Sequence, residues 1–285
     1  MRTIGRPLYK TIGRVIGKGA QLGSKLNPSW EVNVYMQGLS TPLSSAQEEK
    51  LRVLVVALKE GLKITKLSDA FDVMYILANE TAEAGLRNIV KRAHDATAVN
   101  SPSFTSLEGF KGNGKSSYLN TNYNAFADGI KFTLNNASLS AYARQMHTSG
   151  AKTFFGVTNG SDPFTIYTNY RANVKYMALN STSASKLSAD ITDLGLHLIT
   201  REAANITKAL INGTEREIST AGSTSIANGN VYIFAANSIG NVADTFSEAQ
   251  LSLFFAGRAF SLAESAAITD AFEAYMDSNG KGVIS

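Results

Sequence analysis

The 285-residue chain contains no cysteine, which excludes a disulfide scaffold and thiolate metal sites and leaves intracellular assembly as the simpler expectation. Its longest apolar run, Val53–Leu58, is far shorter than the roughly 20 residues a membrane-spanning helix needs. No apolar stretch followed by a cleavage site lies near Met1, so a soluble protein is expected. Charged residues make up only 18% of the chain, against about 25% in ordinary globular domains. With serine, threonine and asparagine abundant, the surface reads as neutral and polar. The length suffices for one large β domain with a full core or for two ordinary domains.

The small net charge of +4 is unevenly placed. Residues 1–30 carry Arg2, Arg6, Lys10, Arg14, Lys18 and Lys25 and no acid; the remaining 21 basic residues face 23 acidic ones. The basic character therefore belongs to an N-terminal arm. Five glycines and Pro7 make an isolated helix there unfavourable. Even so, Arg2 to Lys18 recur every four residues, with Ile4, Leu8, Ile12 and Ile16 at the same interval. A partner that imposed helix would meet adjacent cationic and apolar stripes. Two readings stay open, a solvated tail and a peptide that docks on another protein. Arg2, Arg6, Lys10, Arg14 and Lys18 are the candidate anchoring residues, with a protein as the expected partner rather than nucleic acid or membrane.

Beyond the arm, residues 31–67 form a helical segment. Ser45-Ala-Gln-Glu48 offers a capping box, and Leu51, Leu54, Val55 and Leu58 form a core-facing stripe that stops at Gly61. From residue 68 onward, short β-rich runs alternate with turn signals. The expected strands cover 69–78, 117–121, 139–144, 153–157, 165–170, 174–179, 195–200 and 206–211, with a short helix from Thr81 to about Lys91. Asn159-Gly160 and Asn212-Gly213 predict hairpins, because both central positions of a type I′ turn need positive φ. Near the C-terminus, Asn230–Ala236 and Gln250–Ala256 read as neighbouring core strands separated by an Asn237–Asn241 loop. Ser261-Leu-Ala-Glu264 then caps a helix whose Ile268, Phe272, Tyr275 and Met276 share one face, with Gly280 just past its end. About ten short strands without long intervening helices argue for a β sandwich.

Several motifs suggest chemistry and fail on context. Gly109-Phe-Lys-Gly-Asn-Gly-Lys-Ser116 fits G-x-x-x-x-G-K-S. A phosphate loop, however, needs a buried strand before it and a helix after it, and "SYLNTNYNAFADG" has no helical period. Glycoside hydrolysis needs two carboxylates facing one cleft. Glu215 and Glu217 share a face in regular strand geometry but flank Arg216 at a hairpin tip, where a solvated edge is the expectation. His94, His147 and His197 are isolated from one another in sequence. Asp277-Ser-Asn-Gly-Lys281 starts like a calcium loop, but Lys281 stands at the fifth position and the closing glutamate is missing. No G-x-S-x-G elbow occurs. No catalytic, cofactor or metal residues are assigned, and an enzyme is not expected.

The ordered set "FDVMYILANETAEAGLRNIV", "DATAVNSPSFTSLEGFKGNGKSSYLNTNYN", "NGNVYIFAANSIG" and "AQLSLFFAGRAFSLAESAAITDAFEAYM" resembles the concanavalin A-like (laminin-G-like) jelly rolls of phage and prophage structural proteins. It covers roughly Ala70 to the end. The resemblance implies a mainly β fold, a concanavalin A-like jelly-roll sandwich over residues 68–285. To this are added the N-terminal helix of residues 31–67, a C-terminal helix and the extended basic arm of residues 1–30. It also implies a virion protein, assembled in the host cytoplasm, that serves as a capsid decoration, head fibre or tail component. Other virion proteins would be bound through residues 1–30, and the chain would form a homo-oligomer, with a trimer as the candidate. The alternative function is a carbohydrate-binding module that contacts host surface glycans.

Overall fold

Residues 29–147, 152–158, 164–169, 175–182, 185–186, 193–238 and 242–284 are described in a computed structural model. Helices α1 (Trp30–Met36) and α2 (Ser45–Leu62) lead through a 3-10 turn, Leu67–Asp69, into β1 (Phe71–Tyr75) and the short helix α3 (Ala82–Leu86). Strands β2 (Thr97–Val99), β3 (Ser103–Thr105), β4 (Gly109–Lys111) and β5 (Tyr118–Asn124) follow, then one helical turn, α4 (Ala125–Asp128). Next come β6 (Ala137–Gln145), β7 (Lys152–Val157), β8 (Phe164–Asn169), β9 (Lys175–Ser181) and β10 (Ser185–Lys186). After these come β11 (Gly195–Ala203), β12 (Ile206–Ile211) and β13 (Thr214–Ser219). Strands β14 (Asn230–Ile233), β15 (Ala236–Ser238), β16 (Val242–Asp244) and β17 (Gln250–Gly257) precede helix α5 (Leu262–Ser278).

The strands form two sheets, as the sequence predicts for a sandwich. Sheet A runs β13-β12-β11-β6-β17-β4-β3, with β1 also paired to β17. Sheet B runs β10-β9-β8-β7-β14-β5-β2, with β15 and β16 joined to it through β7. Between them lies one apolar cluster. Leu139, Ile199, Leu251 and Phe254 of sheet A meet Leu119, Phe155, Val231 and Ile233 of sheet B, and the Phe155 and Phe254 rings cross edge to face at 5.5 Å. The runs 230–236 and 250–256 are therefore not neighbours in one sheet. β14 pairs with β5 and β7 while β17 pairs with β1, β4 and β6, so they meet across the core through their side chains. The first run also stops at Ile233, because Phe234 takes φ of +70°. The expected 237–241 loop begins in β15, which forms a small hairpin with β16.

Sheet A is buried at nearly every position of β1, β6, β11 and β17. Such continuous burial requires cover on both faces. The second cover is helical. Leu51, Leu54, Val55 and Leu58 of α2 and Ile268, Phe272, Tyr275 and Met276 of α5 pack with Tyr142, Leu198, Leu253 and Phe255 of the outer face. Polar locks hold this layer. Gln47 Nε2 donates to the Tyr275 hydroxyl at 2.6 Å, which donates to the Ala78 carbonyl at 2.6 Å. Lys59 and Glu31 form a buried ion pair at 2.6 Å that ties α1 to α2.

Local signals mostly hold. Ser261 and Glu264 form the expected capping box of α5, and Gly280 takes φ of +67° just past the helix. Asn212 and Gly213 both have positive φ at the β12–β13 turn. Helix α2 is capped one residue earlier than expected, by Ser44, whose hydroxyl accepts from Gln47 N at 3.2 Å; Gln47 instead extends its side chain to Tyr275. Helix α3 ends at Leu86 rather than near Lys91, because Asn88 bridges to Tyr75 and draws the chain out. The Asn159-Gly160 turn and the anchoring residues Arg2, Arg6, Lys10, Arg14 and Lys18 lie outside the described residues.

Candidate binding face

Along β5 burial alternates strictly, which turns Leu119, Thr121 and Tyr123 into the core and Tyr118, Asn120, Asn122 and Asn124 outward. The neighbouring strands extend this outer face. Thr97 and Val99 of β2 lie opposite Asn120 and Tyr118, while Tyr232 and Asn230 of β14 lie opposite Asn120 and Asn124. Directly opposite residues in an antiparallel pair share a face, so the result is a patch of amides, hydroxyls and aromatic rings.

The rings of Tyr118 and Tyr232 lie 4.5 Å apart at 30°, with Phe246 6.3 Å from Tyr118. Burial, and secondarily the Tyr118 phenol beside it, pushes the Tyr232 hydroxyl up to about 12, so the Tyr232 ring remains neutral at physiological pH. The amides are oriented by the backbone. Asn122 adopts φ of +53°, and its Nδ2 donates to the Asp95 carbonyl at 2.8 Å and to Thr97 Oγ1 at 2.9 Å. Its backbone N–H donates to Asn120 Oδ1 at 2.9 Å. Asn124 Nδ2 donates to Asn228 Oδ1 at 2.7 Å, and Asn124 Oδ1 caps α4 through Phe126 N. These bonds fix which atoms remain available. Among the described residues, Asn120 Nδ2 and Asn122 Oδ1 hold no hydrogen bond, leaving one donor and one acceptor beside the half-buried Tyr118 ring.

The sequence motifs fall elsewhere. In 109–116, Asn113 Oδ1 accepts from the N–H groups of Lys115, Ser116 and Ser117 at 2.9, 2.8 and 3.0 Å. The amides that a phosphate loop would direct at its ligand are thus consumed internally, and β5 follows in place of a helix. The glycines serve packing: a Cβ on Gly112 would lie 2.0 Å from the Ser247 carbonyl oxygen. Glu215 and Glu217 do not share a face, because a bulge at Arg216 sets Glu215 opposite Leu210 and Glu217 opposite Ala209. His94 Nδ1 lies 2.6 Å from the Asn122 carbonyl, His197 Nε2 lies 2.9 Å from the Asp193 carbonyl, and His147 Nδ1 lies 3.4 Å from Ser247 Oγ. Among the described residues no three His, Asp or Glu side chains group in a way that could hold a metal ion. Asp277–Lys281 closes α5, with the Gly280 and Lys281 N–H groups donating back to the Asp277 and Met276 carbonyls. Sequence reading missed the outer face of β5, although its signal, the alternation in Tyr118-Leu-Asn-Thr-Asn-Tyr-Asn124, was present.

No protein-family model matches the chain. No curated protein matches it either. Among solved structures, the botulinum neurotoxin serotype D binding domain aligns with a TM-score of 0.51 and 11% identity, over 72% of this chain and 53% of that one. The Trypanosoma rangeli sialidase in complex with 2,3-difluorosialic acid aligns with a TM-score of 0.50 and 13% identity, over 83% of this chain and 40% of that one. A more distant likeness, TM-score 0.49 at 14% identity, is to domain 4 of AbnA, a GH43 extracellular arabinanase from Geobacillus stearothermophilus, over 70% of this chain and 98% of that one. The chain thus spans about half of the neurotoxin domain and two fifths of the sialidase. At such low identity, what the chain shares with those two proteins is the β-sandwich fold.

Proposed function

We propose that this chain is a non-catalytic recognition module, which binds neutral host glycan on the outer face of sheet B and is carried on a phage virion by residues 1–30. The observation that carries the glycan reading is the Tyr118–Asn120–Asn122 patch. A sugar offers an apolar C–H face for an aromatic ring and hydroxyls that both donate and accept, and the patch supplies a ring, a free amide donor and a free carbonyl acceptor. Among the described residues, the patch formed by β2, β5 and β14 carries no charged side chain, which favours neutral sugars over sialic acids. Two of the sandwiches that share this fold come from a protein named for binding and one solved with a sialic acid derivative, which agrees with a recognition role. The virion setting is supported by the resemblance of residues 70–285 to phage jelly rolls and by the acid-free arm. Capsid decoration, head fibre and tail component are all compatible with it.

The test is binding of the full chain to an array of neutral oligosaccharides, followed by titration calorimetry of each hit. Affinity in the millimolar range or tighter is expected, abolished by Tyr118→Ala and weakened about tenfold or more by Asn120→Ala, the loss of one hydrogen bond to a ligand. Binding that survives both substitutions, or no binding to any neutral glycan, defeats the glycan reading.

A further inference from the structure

Phe126 and Ile130, 61% and 71% exposed, lie four residues apart on the tip formed by α4 and the turn after it. The backbone at Ile130 is fixed by Asp72, a buried carboxylate that accepts from the N–H groups of Ile130, Lys131 and Phe132, the last at 2.8 Å, and from the Tyr123 hydroxyl at 2.9 Å, while the Phe126 N–H donates to Asn124 Oδ1 at 3.1 Å. Two large apolar side chains held rigidly in water are the pattern of an interface anchor, since docking them requires little further ordering. Close by, Trp30, Val34, Tyr35, Ile89 and Val90 wall a mainly apolar cavity of about 340 Å³ with Lys91 and Arg92 on its lining. One stretch borders both features: residues 88–92 line the cavity, while His94 sits 3.9 Å from Asp128 on the tip.

Tip and cavity cannot close on each other within one chain. Asp72 pins the first, and Asn88 pins the second through bonds with Met74, Val90, Ala93 and Asp95. Their charges are complementary. Asp128 lies on the tip, and neither Lys91 nor Arg92 has an ion-pair partner among the described residues. The basic segment before Ser29 is disfavoured as an occupant by the same two cations. We infer that the occupant is a second copy of this chain, paired about a two-fold axis so that Phe126 of each copy seats in the cavity of the other, with Asp128 facing Lys91 and Arg92. A self-complementary patch carrying both halves of a contact side by side forms each contact twice when two copies pair in this way.

Sedimentation equilibrium of the full chain tests this. The wild type forms dimers as concentration rises, and Phe126→Asp, a change at an exposed position, weakens association about thirtyfold or more, as expected for a central anchor. Arg92→Asp alone, which sets an aspartate against Asp128 at both contacts with Lys91 remaining, weakens the dimer, and Asp128→Lys alone, which brings three cations together at both contacts, sediments as a monomer. Mixing the two restores a dimer, seen by native mass spectrometry as a heterodimer. Asp128 also accepts from Asn124 N; should Asp128→Lys lower the melting temperature, Lys91→Asp combined with Arg92→Asp replaces it as the monomeric variant, and the Phe126→Asp result decides. A wild type that stays monomeric, a trimer, a dimer indifferent to Phe126→Asp, or association that appears only when residues 1–28 are deleted overturns the pairing.

Discussion

Sheets A and B pack the same apolar cluster on their inner faces and differ on their outer ones. Outside sheet A, Leu198, Leu253 and Phe255 continue a second core under α2 and α5; outside β5 and β14, asparagines and tyrosines face out. The difference lies in the strand sequences. Gln250-Leu-Ser-Leu-Phe-Phe-Ala-Gly257 is apolar on both sides of the pleat, and Tyr118-Leu-Asn-Thr-Asn-Tyr-Asn124 on one. A face committed to helices has no room for a ligand, so the proposed recognition is placed on sheet B.

The contrast breaks first at α5. If its contact with sheet A is a true core, Phe272→Ala, buried against Tyr142 at 4.9 Å between ring centroids, costs about 3–5 kcal/mol in urea unfolding. Tyr118→Ala on sheet B, where a half-exposed ring is lost, costs about 1 kcal/mol. Equal losses would mean that the two outer faces do not differ in kind. A smaller effect tests the crossing between sheets. Gly112→Ala forces a methyl against the Ser247 carbonyl and costs about 1–3 kcal/mol by overpacking. A melting temperature unchanged within error would show that the turn yields freely.

How much of this was legible in the sequence follows the range of each interaction. The α5 cap and the Asn212-Gly213 turn are settled within four residues, and both were readable. The assignment of β14 and β17 to opposite sheets depends on partners such as β5 and β6, more than a hundred residues away, and no local pattern encodes it. Three-residue strands such as β2 and β16 carry too little alternation to register. The Arg216 bulge shifts register without a glycine to mark it. The candidate face on β5 is an intermediate case: its alternation was visible, but its outward side depended on knowing which sheet the helices cover.

A weaker contribution comes from the polar fastening of sheet A near the end of α5. Lys281 donates to Glu108 Oε1 at 2.6 Å and Arg144 lies 2.8 Å from Glu108 Oε2. Lys281 foremost, and then Arg144, hold the Glu108 carboxyl below the usual carboxylate range despite partial desolvation. A carboxyl that titrates lower in the folded chain than in the unfolded one contributes fully above the unfolded value, about 4.3. Its contribution is lost as pH falls through the folded value. Glu108→Gln therefore costs under about 1 kcal/mol at pH 7, as for a solvent-screened pair, and nothing at pH 2. A penalty that persists at pH 2 would mean that packing, rather than charge, is what was lost.

The smallest expected effect is at Lys115, and it separates the Gly-rich turn from both faces. Lys115 is exposed and holds no ion pair among the described residues. Its backbone N–H is taken by Asn113 Oδ1, a bond that survives any side-chain change. Surface substitutions of this kind stay within about 0.5 kcal/mol, so Lys115→Ala is expected to unfold with the wild type, in contrast to Gly112→Ala three residues away. The same argument covers ligands. A phosphate would need the amides of Lys115, Ser116 and Ser117, and each already donates to Asn113, so releasing them would break the turn that joins β4 of sheet A to β5 of sheet B. Titrating Mg-ATP into the full chain should give no heat of binding; micromolar binding removed by Lys115→Ala would mean that the turn can open, and that the crossing between the two sheets is itself a site.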